Sequence, residues 1–473
     1  MNLAEYSTYD AVGLAQLIHS GAVSVNEVTS AAFRALEATN GALNAVVERY
    51  DEASLAAPRT SAPLAGVPSL RKDIHLEAGR ATSYASRLAH GYVASTTSTH
   101  VRRLEELGLR FIGRSASSEF AMYGTTESRL FGVTRNPWGL DRSSGGSSGG
   151  AAAAVASGVV PLADASDAGG SIRIPAACTG LVGFKASRSV PNHARGRDDL
   201  NANVHGVLAR SVRDVALVAQ HLDGICPARP GPLRIAVSLD PWRPRESVDP
   251  EIVQAVRDVA EALESPRRVI VEATPFYDVE AFWDAIVTRL SLDLYDEVTE
   301  MSRIMQRRAT PELLEPATWL YYAAGQDVTG DDVAAACERR DRVLAHVRAF
   351  FTGYDVLITP TLQVRTPSVG TAGGETLAAT AREHFLLAED VSPNLALFNM
   401  TGHPALSVPT GCGVDGLPIG VQLVGRYGAD ATLLALADEL EQRFMWRERL
   451  PLVHVTSPSH QDDGVGVSSL SNQ

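Results

Sequence analysis

The residues best suited to chemistry lie in one stretch, residues 141–177, DRSSGGSSGGAAAAVASGVVPLADASDAGGSIRIPAA. It opens with Gly145-Gly146-Ser147-Ser148-Gly149-Gly150 and closes with Asp167-Ala168-Gly169-Gly170-Ser171. Glycine permits positive φ and lets another group approach the main chain closely. The N–H groups of Ala168, Gly169, Gly170 and Ser171 therefore carry little side-chain cover. Such a run can form a nest of donors that faces developing negative charge, as an oxyanion site must. The next residues, Ile172-Arg173-Ile174-Pro175-Ala176-Ala177, read as the start of a short helix. That sets Ser171 at a positive helix end.

Other readings of the same residues are weaker. An isolated GGSSGG run is more often a flexible linker, but a helix of small residues, Gly149 to Ala156, follows at once. Gly145 to Gly149 fits G-x-S-x-G, a nucleophile elbow, which requires a hydrophobic strand before it. Trp138 to Ser144, WGLDRSS, is no such strand. A phosphate loop would need G-K-[ST] after its glycines, and none is present. His75 and His403 lie near the motifs and read as packing or pocket-lining residues rather than bases.

The stretch resembles the core of the amidase signature family: GGSSGG, a small-residue helix, then D-x-GGS-x-R-x-P. The likeness extends over roughly 60 to 430. It includes SEFAMYGTTESRLFGVTRNPW, which ends at Trp138, then Asn399-Met400-Thr401-Gly402-His403-Pro404-Ala405 and Gly416 to Gln422. SDAGGSIRIPA with FNMTGHPA is most similar to the branch of nylon-oligomer (aminohexanoate cyclic dimer) hydrolases. The resemblance implies a Ser–cis-Ser–Lys triad. Ser171 is its nucleophile, Ser147 the bridging serine after a cis Gly146–Ser147 bond, and Lys72 of Arg71-Lys72-Asp73 its lysine. It further implies an oxyanion hole from Ala168, Gly169, Gly170 and Ser171, and a hydrogen bond from Ser148 to Lys72. Asp167 and Arg173 are expected to fix the loop, and Met122, Tyr123, Gly124 and Thr125 to line the pocket. No cofactor and no metal are implied.

The chemistry sets conditions on these residues. A serine hydroxyl is a poor nucleophile until a base takes its proton. Lysine can be that base only when neutral, and burial can lower its pKa by up to ~3–5 units. Asp73 must then turn away; successive strand residues face opposite sides, so it is expected to anchor backbone instead. Ser147 can relay a proton because a hydroxyl both donates and accepts. The expected reaction is hydrolysis of an amide bond in a small molecule through a seryl acyl-enzyme, with ester or carbamate side activity. Two alternatives use the same residues. One is a glutamine-hydrolysing amidotransferase subunit, which SEFAMYGTTES also resembles. Its amine-reading acid is matched here by Ser392, with Glu389 and Asp390 close by. The other is an acyltransferase in which an amine replaces water. A non-catalytic relative would be expected to lack a triad residue, and none is substituted.

These residues need a scaffold. Amphipathic helices alternate with short apolar strands, which implies an α/β fold with a mixed central β-sheet surrounded by helices. We expect one compact domain over 1–456: N-terminal helices 8–40, a catalytic core at about 60–230, a helical pocket region at about 276–352 and a C-terminal core at 353–456. Thr8 is read as the cap of a helix over 8–20, and Ser24 as the start of a capping box whose helix runs to about Thr39. The polar, aperiodic stretch 457–473 is expected to be a disordered tail. The net charge of −13 (42 basic against 55 acidic residues) opposes a nucleic-acid or anionic-membrane surface. Cys178, Cys226, Cys337 and Cys412 show no paired or zinc-binding spacing, which suits a reducing cytoplasm. No apolar run is long enough to span a bilayer. The expected partner is a small-molecule amide, with the chain a monomer or homodimer.

Overall fold

Local signals set many of the element ends. Ser24 accepts the Glu27 N–H, and the Glu27 carboxylate accepts the Ser24 N–H at 2.8 Å, so a capping box starts the helix Val25–Leu43. That helix runs past the expected Thr39 and stops at Asn44 in the left-handed region. The single helix expected over 8–20 is instead two, Leu3–Thr8 and Ala11–His19. Asp10, not Thr8, caps the second, because its carboxylate accepts the Gly13 N–H at 2.9 Å. The computed structural model describes residues 1–55, 61–190, 197–226, 228, 230–239, 247–371, 373–393 and 395–457. Of the expected tail, 457–473, all but Ser457 lies outside the described residues.

The centre is an eight-stranded mixed sheet. Its order is Arg268–Glu272, Leu233–Val237, Val356–Pro360, Pro418–Gly425, Ala405–Cys412, Val182–Lys185, Val204–Ala209 and Leu162–Asp167. The first three strands are parallel and the remaining pairings antiparallel. Helices Gly149–Ala156, Arg173–Thr179, Val212–Asp223, Pro250–Leu263 and Asp430–Phe444 pack on it. A smaller sheet of Val46–Arg49, Arg110–Ser115 and Pro68–Lys72 lies beside the last strand. Two bonds stitch the sheets together: Ser69 Oγ donates to the Leu162 carbonyl at 3.1 Å, and the Lys72 N–H donates to Asp164 Oδ2 at 3.0 Å.

The helix Gly149–Ala156 is buried at every position and carries nothing larger than valine. A Cβ on Gly150 would collide with the main chain of Ala116 and the carbonyl of Ala45. Its small residues are thus what let it seat against both sheets. A second apolar core lies among the helices Val279–Met305, Pro316–Gln326 and Gly330–Gly353, around Phe282, Ile286, Val298, Tyr321 and Val347. A cavity lies where the first two of these helices meet the glycine-rich loops.

Candidate active site

Lys72 ends its strand with no exposed surface. Its Nζ is 2.8 Å from Ser147 Oγ and 3.1 Å from Ser166 Oγ. Burial pulls its pKa down to about 7, against the opposing pull of Asp164 and Asp167. Asp73 turns away, as the strand alternation requires. It accepts the N–H groups of Ser83 at 2.9 Å and Ala85 at 3.0 Å and pairs with Arg114. The second hydroxyl on Lys72 is Ser166, where Ser148 was expected. Ser148 instead precedes the helix Gly149–Ala156 and reaches the Ser166 carbonyl at 3.5 Å.

The Gly146–Ser147 peptide is cis. A Cβ on Gly146 would fall onto the backbone of Thr125, so only glycine fits there. Thr126 clasps the turn from the other side. Its Oγ1 donates to the Gly145 carbonyl and accepts the Gly149 N–H, both at 2.9 Å.

A buried knot holds the loop bearing Ser171. Arg173 donates from Nε and Nη2 to the two oxygens of Asp167, each at 2.9 Å. It also reaches Gln422 Oε1 at 2.7 Å and Asn399 Oδ1 at 2.5 Å. The Asn399 amide returns a bond to the Asp167 carbonyl at 2.9 Å. Burial alone would raise the Asp167 pKa, but the Arg173 guanidinium holds it well below the usual carboxylate range. The Gly170 N–H donates to Asp167 Oδ1 at 2.7 Å. This corrects one expectation: Gly170 is not free to serve an oxyanion, because its N–H is already committed. Ala168, Gly169 and Ser171 remain on the cavity wall.

That cavity measures about 600 Å³. Ser147, Ser166 and Ser171 open onto it, and Lys72 lies behind Ser147. Met122, Tyr123, Gly124 and Thr125 all line it. Residues of the helix Val279–Met305 and of the 384–396 stretch close the far side. His403 stands apart, stacked on Phe351 at 4.8 Å between ring centroids. His75 lines the cavity but gives its Nδ1 to Asp164 at 2.6 Å.

Sequence reasoning missed Ser166, Asp164, Asn399 and Gln422. The first two had a signal. Leu162, Asp164 and Ser166 share one face of a strand by period-two alternation, and an acid on a buried strand needs partners. Asn399 and Gln422 lay inside stretches already matched to the family, but nothing local tied them to Arg173.

The chain is similar to known proteins along most of its length. Residues 27–434 match the family profile described as Amidase. The chain is 32% identical over 481 residues to 6-aminohexanoate-cyclic-dimer hydrolase of Pseudomonas sp. (strain NK87), covering 93% of this chain and 96% of that one. It is likewise 32% identical over 474 residues to acylamidase of Rhodococcus erythropolis, with the same 93% and 96% coverage. The solved structure of 6-aminohexanoate cyclic dimer hydrolase superposes with a TM-score of 0.85 at 30% identity, covering 94% of this chain and 99% of that chain. Sequence and fold lead to one conclusion: the chain belongs to the amidase family and is an amidohydrolase.

Proposed function

We propose that the chain cleaves a carbon–nitrogen amide bond of a small molecule through a seryl acyl-enzyme, with Ser171 as nucleophile, Ser147 as relay and Lys72 as base. The observation that carries this reading is the Lys72 Nζ to Ser147 Oγ bond of 2.8 Å, made by a fully buried lysine. With its pKa near 7, a sizeable fraction of Lys72 is neutral at physiological pH and can take the Ser147 proton. Ser147 in turn takes the proton of Ser171, whose Oγ attacks the carbonyl carbon. The resulting oxyanion faces the N–H groups of Ala168, Gly169 and Ser171. Ser147 then passes a proton to the leaving nitrogen, the C–N bond breaks, and the amine departs. Water cleaves the remaining ester by the same relay and restores Ser171.

Small-molecule sites commonly span about 300–1,000 Å³, and this cavity falls within that range. Among similar proteins are a cyclic-dimer hydrolase and an acylamidase, which favours a compact linear or cyclic amide as substrate. A panel of such amides, with esters and carbamates, tests this. Ser171→Ala is expected to lose at least about 10³-fold in kcat, the scale typical for a lost nucleophile. Intact-mass analysis of enzyme quenched during turnover should find the acyl group on Ser171. An adduct on another residue overturns the assignment.

A further inference from the structure

We propose that His75, His100 and His205 form a binding site for one divalent transition-metal ion of the zinc class, at the rim of the active-site cavity. The three come from remote parts of the chain. His75 lies in the turn after Pro68–Lys72, His100 in the first turn of the helix Thr99–Glu106, and His205 on the strand Val204–Ala209. One ring nitrogen of each lies within 4.8 Å of those of the other two. The ring centroids are 4.6–5.0 Å apart.

Asp164 organises the cluster. This carboxylate has no exposed surface. One oxygen is 2.6 Å from His75 Nδ1 and the other 2.7 Å from His100 Nε2. An imidazole that gives its N–H to a carboxylate keeps a lone pair on its other nitrogen. Histidines that bind metals usually carry such a second partner, which fixes the tautomer and raises ligand basicity. Here one carboxylate serves two rings.

The spacing of one pair suits an ion. His75 Nε2 and His205 Nδ1 are 3.2 Å apart. Two nitrogens on a tetrahedral zinc at ~2.0–2.1 Å would be about 3.3–3.4 Å apart. Without an ion, the His205 Nδ1–H donates to His75 Nε2. An ion takes the place of that hydrogen, and the proton moves to His205 Nε2. A set of neutral imidazoles favours zinc, copper or nickel over magnesium or calcium. His205 is exposed, which gives the ion an entry path. Three protein nitrogens leave a fourth position for water, and both His75 and His205 line the cavity.

The test uses the full chain, stripped with a chelator and then titrated with Zn²⁺ by calorimetry and with Co²⁺ by visible absorption. One equivalent should bind, Co²⁺ should give the intense ligand-field bands of a four-coordinate site, and Zn²⁺ should raise Tm by mass action. His205→Gln sits at the exposed rim and should weaken binding at least tenfold and erase the bands. His100→Ala should do the same if it folds; if it does not, His205→Gln decides alone. Absence of stoichiometric binding overturns the proposal. So does binding that His205→Gln leaves unchanged, which would put the ion elsewhere, for instance at the exposed Cys226 or Cys412.

Discussion

At the scale of single residues, the pKa of Lys72 governs the proposed chemistry. The base works only when neutral, and its pKa is lowered to about 7. Below that pH the ammonium form dominates, so kcat/KM should fall about tenfold per pH unit on the acid side. Asp164 favours the ammonium, so Asp164→Asn should move this limb to lower pH. Lys185 is also buried and lowered to about 7, but it donates to the Ala186 carbonyl at 2.9 Å and lies off the cavity. In pH–rate profiles Lys185→Met should therefore keep the limb, and Lys72→Ala should remove the activity. Ser166→Ala deletes one of the two hydroxyls on Lys72. A hydrogen bond of about 1 kcal/mol corresponds to a roughly fivefold loss in kcat/KM, measurable by steady-state kinetics. An unchanged rate would show that Ser147 alone orients the lysine.

At the scale of elements, the Asp167–Arg173 pair joins the strand Leu162–Asp167 to the helix Arg173–Thr179. Asp167→Ala leaves a buried guanidinium short of its main partner and should cost about 3–5 kcal/mol in chemical denaturation. The depressed carboxylate pKa gives stability that is fully present above the unfolded value, about 3.9. That stability is lost as pH falls below it toward the folded value. Gly150→Val should also destabilise, by about 1–3 kcal/mol or more, because the helix Gly149–Ala156 has no room against Ala116. Features set by neighbours in sequence were legible: the Ser24 capping box, the small-residue helix and the glycine turn before Ser171. Two local details were misread. Asp10 outcompeted Thr8 as a cap, and Asp167 captured the Gly170 N–H three residues on. What stayed hidden was mostly long-range. No local pattern ties Arg173 to Asn399 and Gln422, or gathers His75, His100 and His205 around Asp164.

At the scale of the whole molecule, the cavity lies between the loops of the mixed sheet and the helical layer with its own core. Among the described residues lining it, Asp293, Asp296 and Glu389 stand against one guanidinium, Arg289, while burial and the two neighbouring aspartates push the Glu297 pKa up to about 8. With a net charge of −13, the chain should draw in amides with a cationic end and disfavour anionic ones. Asp296→Asn should raise KM for an amine-bearing amide and leave a neutral isostere nearly unchanged, with added salt narrowing the gap. Equal KM values for cationic and anionic analogues would contradict this. Among the described residues, no helix is long and apolar enough to cross a membrane. The knot around Asp167 also bears on how the enzyme comes into being. Ser171 leaves the ribosome long before Asn399 and Gln422, which hold Arg173 in place. A nascent polypeptide therefore carries its proposed nucleophile on a loop held through Asp167 alone, and the enzyme is armed only once the helix and strand that supply Asn399 and Gln422 have been made.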